Sequence, residues 1–352
     1  MAMSITMGLL LATKNTAYLF LPIPLAIILI SRKPLPYVTS HGLLFFAICG
    51  AAFFAGSPYS LLDLSGYMTR SKYLADVVSG VLPMDWTIQF RKTDGFFWFP
   101  TLLYATGFLV IIGTIGSIPH IRYVRKNIRG IFAAWSLGCL LFLTFTFLKF
   151  TRYAAPLIPF FALFAAGLLS DWEKTFAGKL ISYTTIGLHI FYACIFFSIY
   201  ATPHTSLTAA AWIGDNVPPS SVILTEEWNS IVRFSRPELD GKNYRIVSFN
   251  FYAPDTEIKQ KNLLSLISQT DYILLESPKV KNTVARLSAD YPNTYIFYND
   301  LENNRLGFTK AAQFTSYPRI GSFAINDSRA EETFTIFDHP TVTLYKRQNL
   351  SD

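Results

Sequence analysis

Charge is scarce in this chain. Asp, Glu, Lys and Arg make up 15% of its 352 residues, against about a quarter in soluble globular domains. One ordinary soluble domain is therefore excluded. Cysteine is also rare: Cys49, Cys139 and Cys194 are the three, and each lies inside an apolar run. No disulfide framework and no thiolate metal spacing can be built from them. No glycine-rich phosphate loop follows any run that reads as a strand, so nothing points to a nucleotide-dependent domain. What is abundant is apolar: hydrophobic residues are 51%, Phe numbers 31 and Tyr 19, and the mean hydropathy is +0.32.

The scarce charge is unevenly placed. Residues 1–200 hold 15 Lys/Arg against 6 Asp/Glu, a net of +9, whereas residues 201–352 hold 15 against 17, a net of −2. The basic surplus thus sits beside hydrophobic runs, as in membrane proteins, and nucleic-acid binding is not needed to explain it. Six segments come near the length of about 20 apolar residues that a bilayer requires: 5–30, 38–55, 96–117, 131–148, 154–170 and 180–200. None contains Asp or Glu.

Loop cations orient the spans. Arg32 and Lys33, then Arg122, Arg125, Lys126 and Arg129, then Lys174 and Lys179 mark three cytoplasmic loops. The loop 56–95, the turn 149–153 and everything after Tyr200 then face outward. In the loop 56–95, Arg70, Lys72, Arg91 and Lys92 are offset by Asp63, Asp76, Asp85 and Asp94. The chain therefore reads as a multi-pass cell-membrane protein with an extracytoplasmic C-terminal domain. An outward N-terminus so close to a span suggests the C-terminal part of a larger membrane protein, or one half of a split one.

After Tyr200 the pattern is that of an α/β unit. Helical spacing covers 206–216 and ends before Pro218-Pro219. Buried strands are expected at 221–224, 244–249 and 272–275, with helices at 256–269 and 278–291. Alternation of this kind argues a mostly parallel sheet. The runs 333–337 and 341–345 alternate in period two around Asp338-His339-Pro340, which predicts an antiparallel edge pair with His339 in the turn.

Several residues could carry chemistry. Lys14 interrupts the first apolar run, where a charge costs about 2.5–3.5 kcal/mol on insertion scales. It either snorkels to the interface or binds an anion. Arg152 follows Lys149 in a tight turn before Pro156 and Pro159, and is either an interface anchor or a bidentate phosphate ligand. In the loop 56–95, Tyr59 and Asp63 could meet a sugar, or Asp63 could cap the next helix. Tyr67, Tyr73 and Trp86 suit an aromatic belt or a sugar stack, and Arg91 and Lys92 suit lipid headgroups or a lipid phosphate. No metal and no cofactor are expected.

Four stretches give the chain a family likeness: Gly8-Leu9-Leu10-Leu11-Ala12-Thr13-Lys14; Ser57-Pro58-Tyr59 with Leu61-Leu62-Asp63; Arg152-Tyr153 with Pro156 and Pro159; and Ala211-Trp212-Ile213 with Asn216-Val217-Pro218. The tail adds Tyr291-Pro292, Leu306-Gly307-Phe308, Ser316-Tyr317-Pro318 and Glu331-Glu332-Thr333-Phe334. In this order the chain resembles membrane glycosyltransferases of the GT-C type, in the glycosyltransferase family 39 or protein-mannosyltransferase-like group. The resemblance implies inverting transfer of a sugar from a polyprenyl-phosphate donor to an acceptor at the outer face. Lys14, Lys149 and Arg152 would bind the donor phosphate. The acidic catalytic loop of these families is expected upstream, so the catalytic residue is unknown and a separate N-terminal half or partner subunit is implied. The rival reading is a non-catalytic, membrane-anchored protein that binds glycan or a subunit.

Overall fold

The structure, a computed structural model, describes residues 1–31, 33–93, 95–227, 232 and 239–348. Arg32 and Asp94 lie outside the described residues. The chain divides into two compact units, one of residues 1–82 and 95–189, the other of Pro83–Asp94 and Ile190–Asp352.

The first unit is helical. Helices α1 (Ala2–Thr13), α2 (Pro22–Ile30) and α3 (Leu35–Gly56) open it. The predicted span 5–30 is not one helix. Lys14 adopts an extended conformation, a 3-10 stretch Asn15–Phe20 follows, and Pro22 and Pro24 restart the helix. Pro lacks the amide that a continuing helix needs, whereas a first turn leaves that amide unpaired anyway. Glycine permits close contact between α1 and α3: a Cβ on Gly8 would stand 2.2 Å from the Cys49 carbonyl oxygen, and one on Gly56 would stand 2.9 Å from Ala12 Cβ. The pairs 8/49 and 12/56 rise together, so α1 and α3 run in the same direction. The start of α1 then lies on the Leu35 side of Lys14, which corrects the expected outward N-terminus.

Two short helices, α4 (Tyr59–Leu62) and α5 (Leu64–Ser79), follow. The predicted span 96–117 is bent by 114° between Gly95–Thr106 and Leu109–Tyr123, within which lie α6 (Trp98–Thr106) and α7 (Leu109–Ser117). Gly107 makes the break at φ 57°, a backbone region that glycine enters without strain. α8 (Ile128–Phe145), α9 (Ile158–Trp172) and α10 (Phe176–Phe197) complete the bundle. Asn127 caps α8 by accepting from the Gly130 amide at 2.8 Å. Among the described residues four helices are long and apolar enough to cross a membrane, or five with the bent pair as one span. The expectation of six is reduced because its first member is broken at Lys14.

The second unit is a five-stranded sheet with helices on both faces. Its elements are α11 (Thr205–Asn216), β1 (Val222–Glu226), β2 (Arg245–Phe249), α12 (Glu257–Gln269), β3 (Tyr272–Leu275), α13 (Lys279–Arg286), α14 (Pro292–Glu302) and β4 (Phe308–Phe314). A small hairpin, β5 (Arg319–Ile320) and β6 (Phe323–Ala324), precedes the turn α15 (Glu332–Thr335) and β7 (Val342–Arg347). Strand order is β2-β1-β3-β7-β4, with β1 parallel to β2 and β3, and β7 antiparallel to β3 and β4. Buried Ala209, Ala210 and Ile213 of α11 cover one face together with Ile223 and Leu344. Leu263, Val284 and Phe297 cover the other with Leu224 and Ile273.

The parallel strands stand where the sequence places them. The tail does not. Residues 332–335 form a helical turn, and β7 lies inside the sheet, paired with β4. Period-two alternation over five residues also fits one helical turn and a bend, which is what Glu331 stabilises by accepting from the Thr333 amide. The predicted helix 278–291 ends at Arg286, and Pro292 starts another.

The unit boundary also departs from Tyr200. The segment 83–94, the end of the loop between membrane helices, belongs to the sheet unit. Ile88 is buried in the cluster of Phe251, Leu287 and Tyr291, Asn250 Nδ2 donates to Asp85 Oδ2 at 2.8 Å, and Arg286 donates to the Gln89 carbonyl. Trp86 lies on this segment. The expectation that 201–352 is a complete domain is thereby corrected, since part of its core comes from before the bent helix pair. Ile88→Val is expected to destabilise the sheet unit by about 1 kcal/mol. Faster exchange of the β1 and β3 amides in the full chain would register it.

Candidate functional site

The parallel run of α1 and α3 brings Lys14 to the end of α3 marked by Gly56, where α4 and α5 begin. There Asp63 caps α5, accepting from the Gly66 amide at 2.9 Å. Of the two roles the sequence leaves open for Asp63, the structure displays capping. Tyr59 is exposed at the start of α4. Tyr67 of α5 meets the Phe53 ring of α3 edge-on at 6.2 Å.

The turn after α8 reaches the same end. A Cβ on Gly80, the residue after α5, would lie 2.7 Å from the Phe147 ring, so the backbone of the loop and this turn are in contact. Thr146 Oγ1 bridges the Leu143 and Leu148 carbonyls at 2.8 and 3.1 Å. Lys149 is buried, and its ammonium donates to the Thr146 carbonyl at 2.6 Å. Arg152 is exposed, with its guanidinium 4.3 Å from the centre of the Phe150 ring and 5.8 Å from that of Tyr153. Stacking of this kind holds a guanidinium plane while leaving its edge donors open.

One hydrophobic cluster joins the two cation-bearing segments. Leu19, Phe20 and Ile23, just after Lys14, pack with Tyr153, Ala154, Leu157 and Phe161, just after Arg152. Trp135 fixes the contact by donating to the Leu19 carbonyl at 2.5 Å and stacking on Phe20 at 4.8 Å. Lys14 and Arg152 are both exposed, and neither has a carboxylate partner among the described residues. Lys14 offers an exposed point charge and Arg152 a fork matched to two oxygens, whereas Lys149 is buried and engaged by the Thr146 carbonyl.

Arg91 and Lys92 stand in the sheet unit: Lys92 pairs with Asp290 at 2.8 Å, and Arg91 follows the 3-10 stretch Asp85–Phe90.

The sheet unit holds polar networks that the sequence reading missed. Lys259 Nζ donates to the Phe251 and Ala253 carbonyls, to Asp255 Oδ1 and to Thr294 Oγ1, all at 2.7–2.8 Å. Burial disfavours the Asp255 carboxylate, but donors on Lys259 and Thr294 outweigh it and hold the carboxyl below its ordinary value. Burial draws the Lys259 ammonium below its own, against the pull of Asp255. The i, i+4 spacing of Asp255 and Lys259 around the cap Thr256 was the available signal. A cleft of about 160 Å³ beside them, between α12 and α14, is lined by Leu263, Ile267 and Phe297. These polar groups satisfy each other and need no ligand.

At the carboxyl ends of the parallel strands, Tyr298 Oη donates to Glu226 at 2.6 Å and the Val232 amide to Glu276 at 2.5 Å. His339 does sit in a turn, but it is buried, with Nε2 at 2.7 Å from Asp327 Oδ2. Among the described residues no group of three or more His, Cys, Asp or Glu is placed to hold a metal ion. Compared with family models, with curated proteins and with solved structures, the chain matches none of them.

Proposed function

We propose that the chain is a membrane glycosyltransferase, or the C-terminal part of one, which binds a polyprenyl-phosphate-linked sugar at the end of the helical unit that carries Lys14, Lys149 and Arg152. The observation that supports this reading is the packing of the segments that follow Lys14 and Arg152 into one hydrophobic cluster, beside helices long enough to cross a bilayer. An amphiphile with a phosphate head and a long apolar tail matches that combination. The resemblance to the family 39 group adds the reaction. An acceptor oxygen attacks the anomeric carbon, the bond to the phosphate oxygen breaks, and polyprenyl phosphate leaves as the anion. A carboxylate from a separate N-terminal half takes the acceptor proton, and the cations stabilise the leaving phosphate. In this reading the protein is a multi-pass cell-membrane protein with its sheet unit outside the cytoplasm.

A non-catalytic glycan- or subunit-binding role has one observation in its favour: Asp63, an acid at this end of the unit, is engaged as a helix cap. Photocrosslinking to a polyprenyl phosphate in nanodiscs tests the donor site. Lys14→Ala and Arg152→Ala are each expected to weaken binding about tenfold, the usual scale for one charge-assisted hydrogen bond. Unchanged binding in Arg152→Ala would leave that residue an interface anchor and sink the donor reading. Donor binding without sugar transfer, even with the upstream neighbour supplied, would favour the non-catalytic role.

A further inference from the structure

We propose that α5 lies in the plane of the membrane interface, with one apolar row inserted among lipid acyl chains and its basic flanks on anionic headgroups. This inference is independent of the donor reading. At about 100° per residue, positions 64, 67, 68, 71, 74, 75 and 78 share an arc about 120° wide, with Tyr67 on its α3 side and Ser71 its one small polar member. Leu64, Met68, Leu74 and Val78 stand on that arc and are exposed, Met68 by 62%. Thr69, Lys72 and Asp76 form a polar side, and buried Val77 faces inward. An exposed apolar row of this size on a helix with a polar opposite side marks a surface that something covers.

Chain length identifies the cover as lipid. α3 crosses the membrane by length and composition, and its exposed Leu43, Phe46 and Phe54 face the acyl region. Only Ser57 and Pro58 separate α3 from α4, and two residues reach at most about 7 Å. The Phe53–Tyr67 ring contact holds α5 beside the last turn of α3. The row on α5 therefore continues the lipid-facing surface of α3 at the depth where headgroups meet acyl chains. Leu61 and Leu62 on α4 extend it. Arg70 and Lys72, on opposite shoulders of the row, are exposed and long enough to reach phosphates.

The full chain is prepared with its three native cysteines replaced, and a single cysteine is introduced as Met68→Cys, Val78→Cys or Thr69→Cys. Each carries an environment-sensitive fluorophore in nanodiscs of neutral lipid, with and without anionic lipid. Labels at 68 and 78 are expected to shift to the blue and to be quenched severalfold more by lipids brominated near the headgroup than the label at 69. Aqueous iodide is expected to show the reverse order. Charge reversal by Arg70→Glu with Lys72→Glu is expected to reduce the blue shift in anionic discs more than in neutral ones. Equal iodide quenching at 68 and 69 overturns the proposal. So does shielding at 68 without bromine quenching, which would mean a protein partner covers the row.

Discussion

Lys259→Met is expected to remove about 3–5 kcal/mol from the sheet unit, the range for breaking a buried ion pair by deleting one partner. The side chains of Lys259 and Asp255 are 7% and 4% exposed, so water cannot replace the lost contact. Its three N–H donors are shared among two backbone carbonyls, the Asp255 carboxylate and the Thr294 hydroxyl, and all are lost at once. Asp255 keeps the Asn293 and Thr294 amides at 2.7 and 3.0 Å, which is why the unit is weakened rather than abolished. Replacing both partners with apolar residues of matched volume is expected to cost less than Lys259→Met alone, because no lone charge stays behind. Amide exchange of β1 and α12 in the full chain would measure both. A change under 1 kcal/mol for Lys259→Met would show that water reaches Asp255.

Stability of the sheet unit is expected to fall as pH rises from 4.5 towards 8. Glu332 accepts from Ser277 Oγ at 2.8 Å at the start of α13. Burial pushes its carboxyl up to about 8 from 4.5, with Glu331 and Glu226 raising it further and Lys279 and Ser277 pulling it down. An acid whose proton is held more tightly in the folded state favours folding fully below its unfolded value. That contribution fades as pH climbs through the folded value. Each unit of separation is worth about 1.4 kcal/mol, so the loss is about 2–4 kcal/mol once the partial exposure of the residue is allowed for. Glu332→Gln keeps the shape without the proton, and is expected to flatten the pH dependence over this window. A profile unchanged by that substitution would place the titration elsewhere.

Both effects come from residues that give no periodic signal. Apolar periodicity made the parallel strands legible, because β1 and β3 are buried on both faces and read as continuous runs. The same rule misled at the tail, where 333–337 is too short to separate a strand from a turn. β4 escaped notice because its burial is irregular around the shift between Lys310 and Ala312. Hydropathy located α3, α8, α9 and α10, but counts apolar residues without asking whether they form one helix. Lys14 and Gly107 break two of the expected spans for different reasons, a charge and a backbone angle, and only the first was visible as chemistry. Lys14 and Arg152 were legible because a cation in apolar surroundings stands out. Their placement at one face was expected too, but the Trp135 bond to the Leu19 carbonyl, across 116 positions, left no signal in the sequence.

Because 83–93 packs into the same unit as the sheet, β1 to β7, both stand in one compartment. A chain that leaves a compartment and returns to it crosses the membrane an even number of times. Between these segments lie three unbroken spanning helices and the pair bent by 114°. If α8, α9 and α10 each cross once, three is odd and parity has the bent pair cross as well, as a kinked span and not as a re-entrant loop. Its kink at Gly107 then sits inside the bilayer, where backbone groups freed from the helix must be sheltered by protein or by a wetted cavity. The burial of Ile88 thus counts the crossings of a helix pair in the other unit.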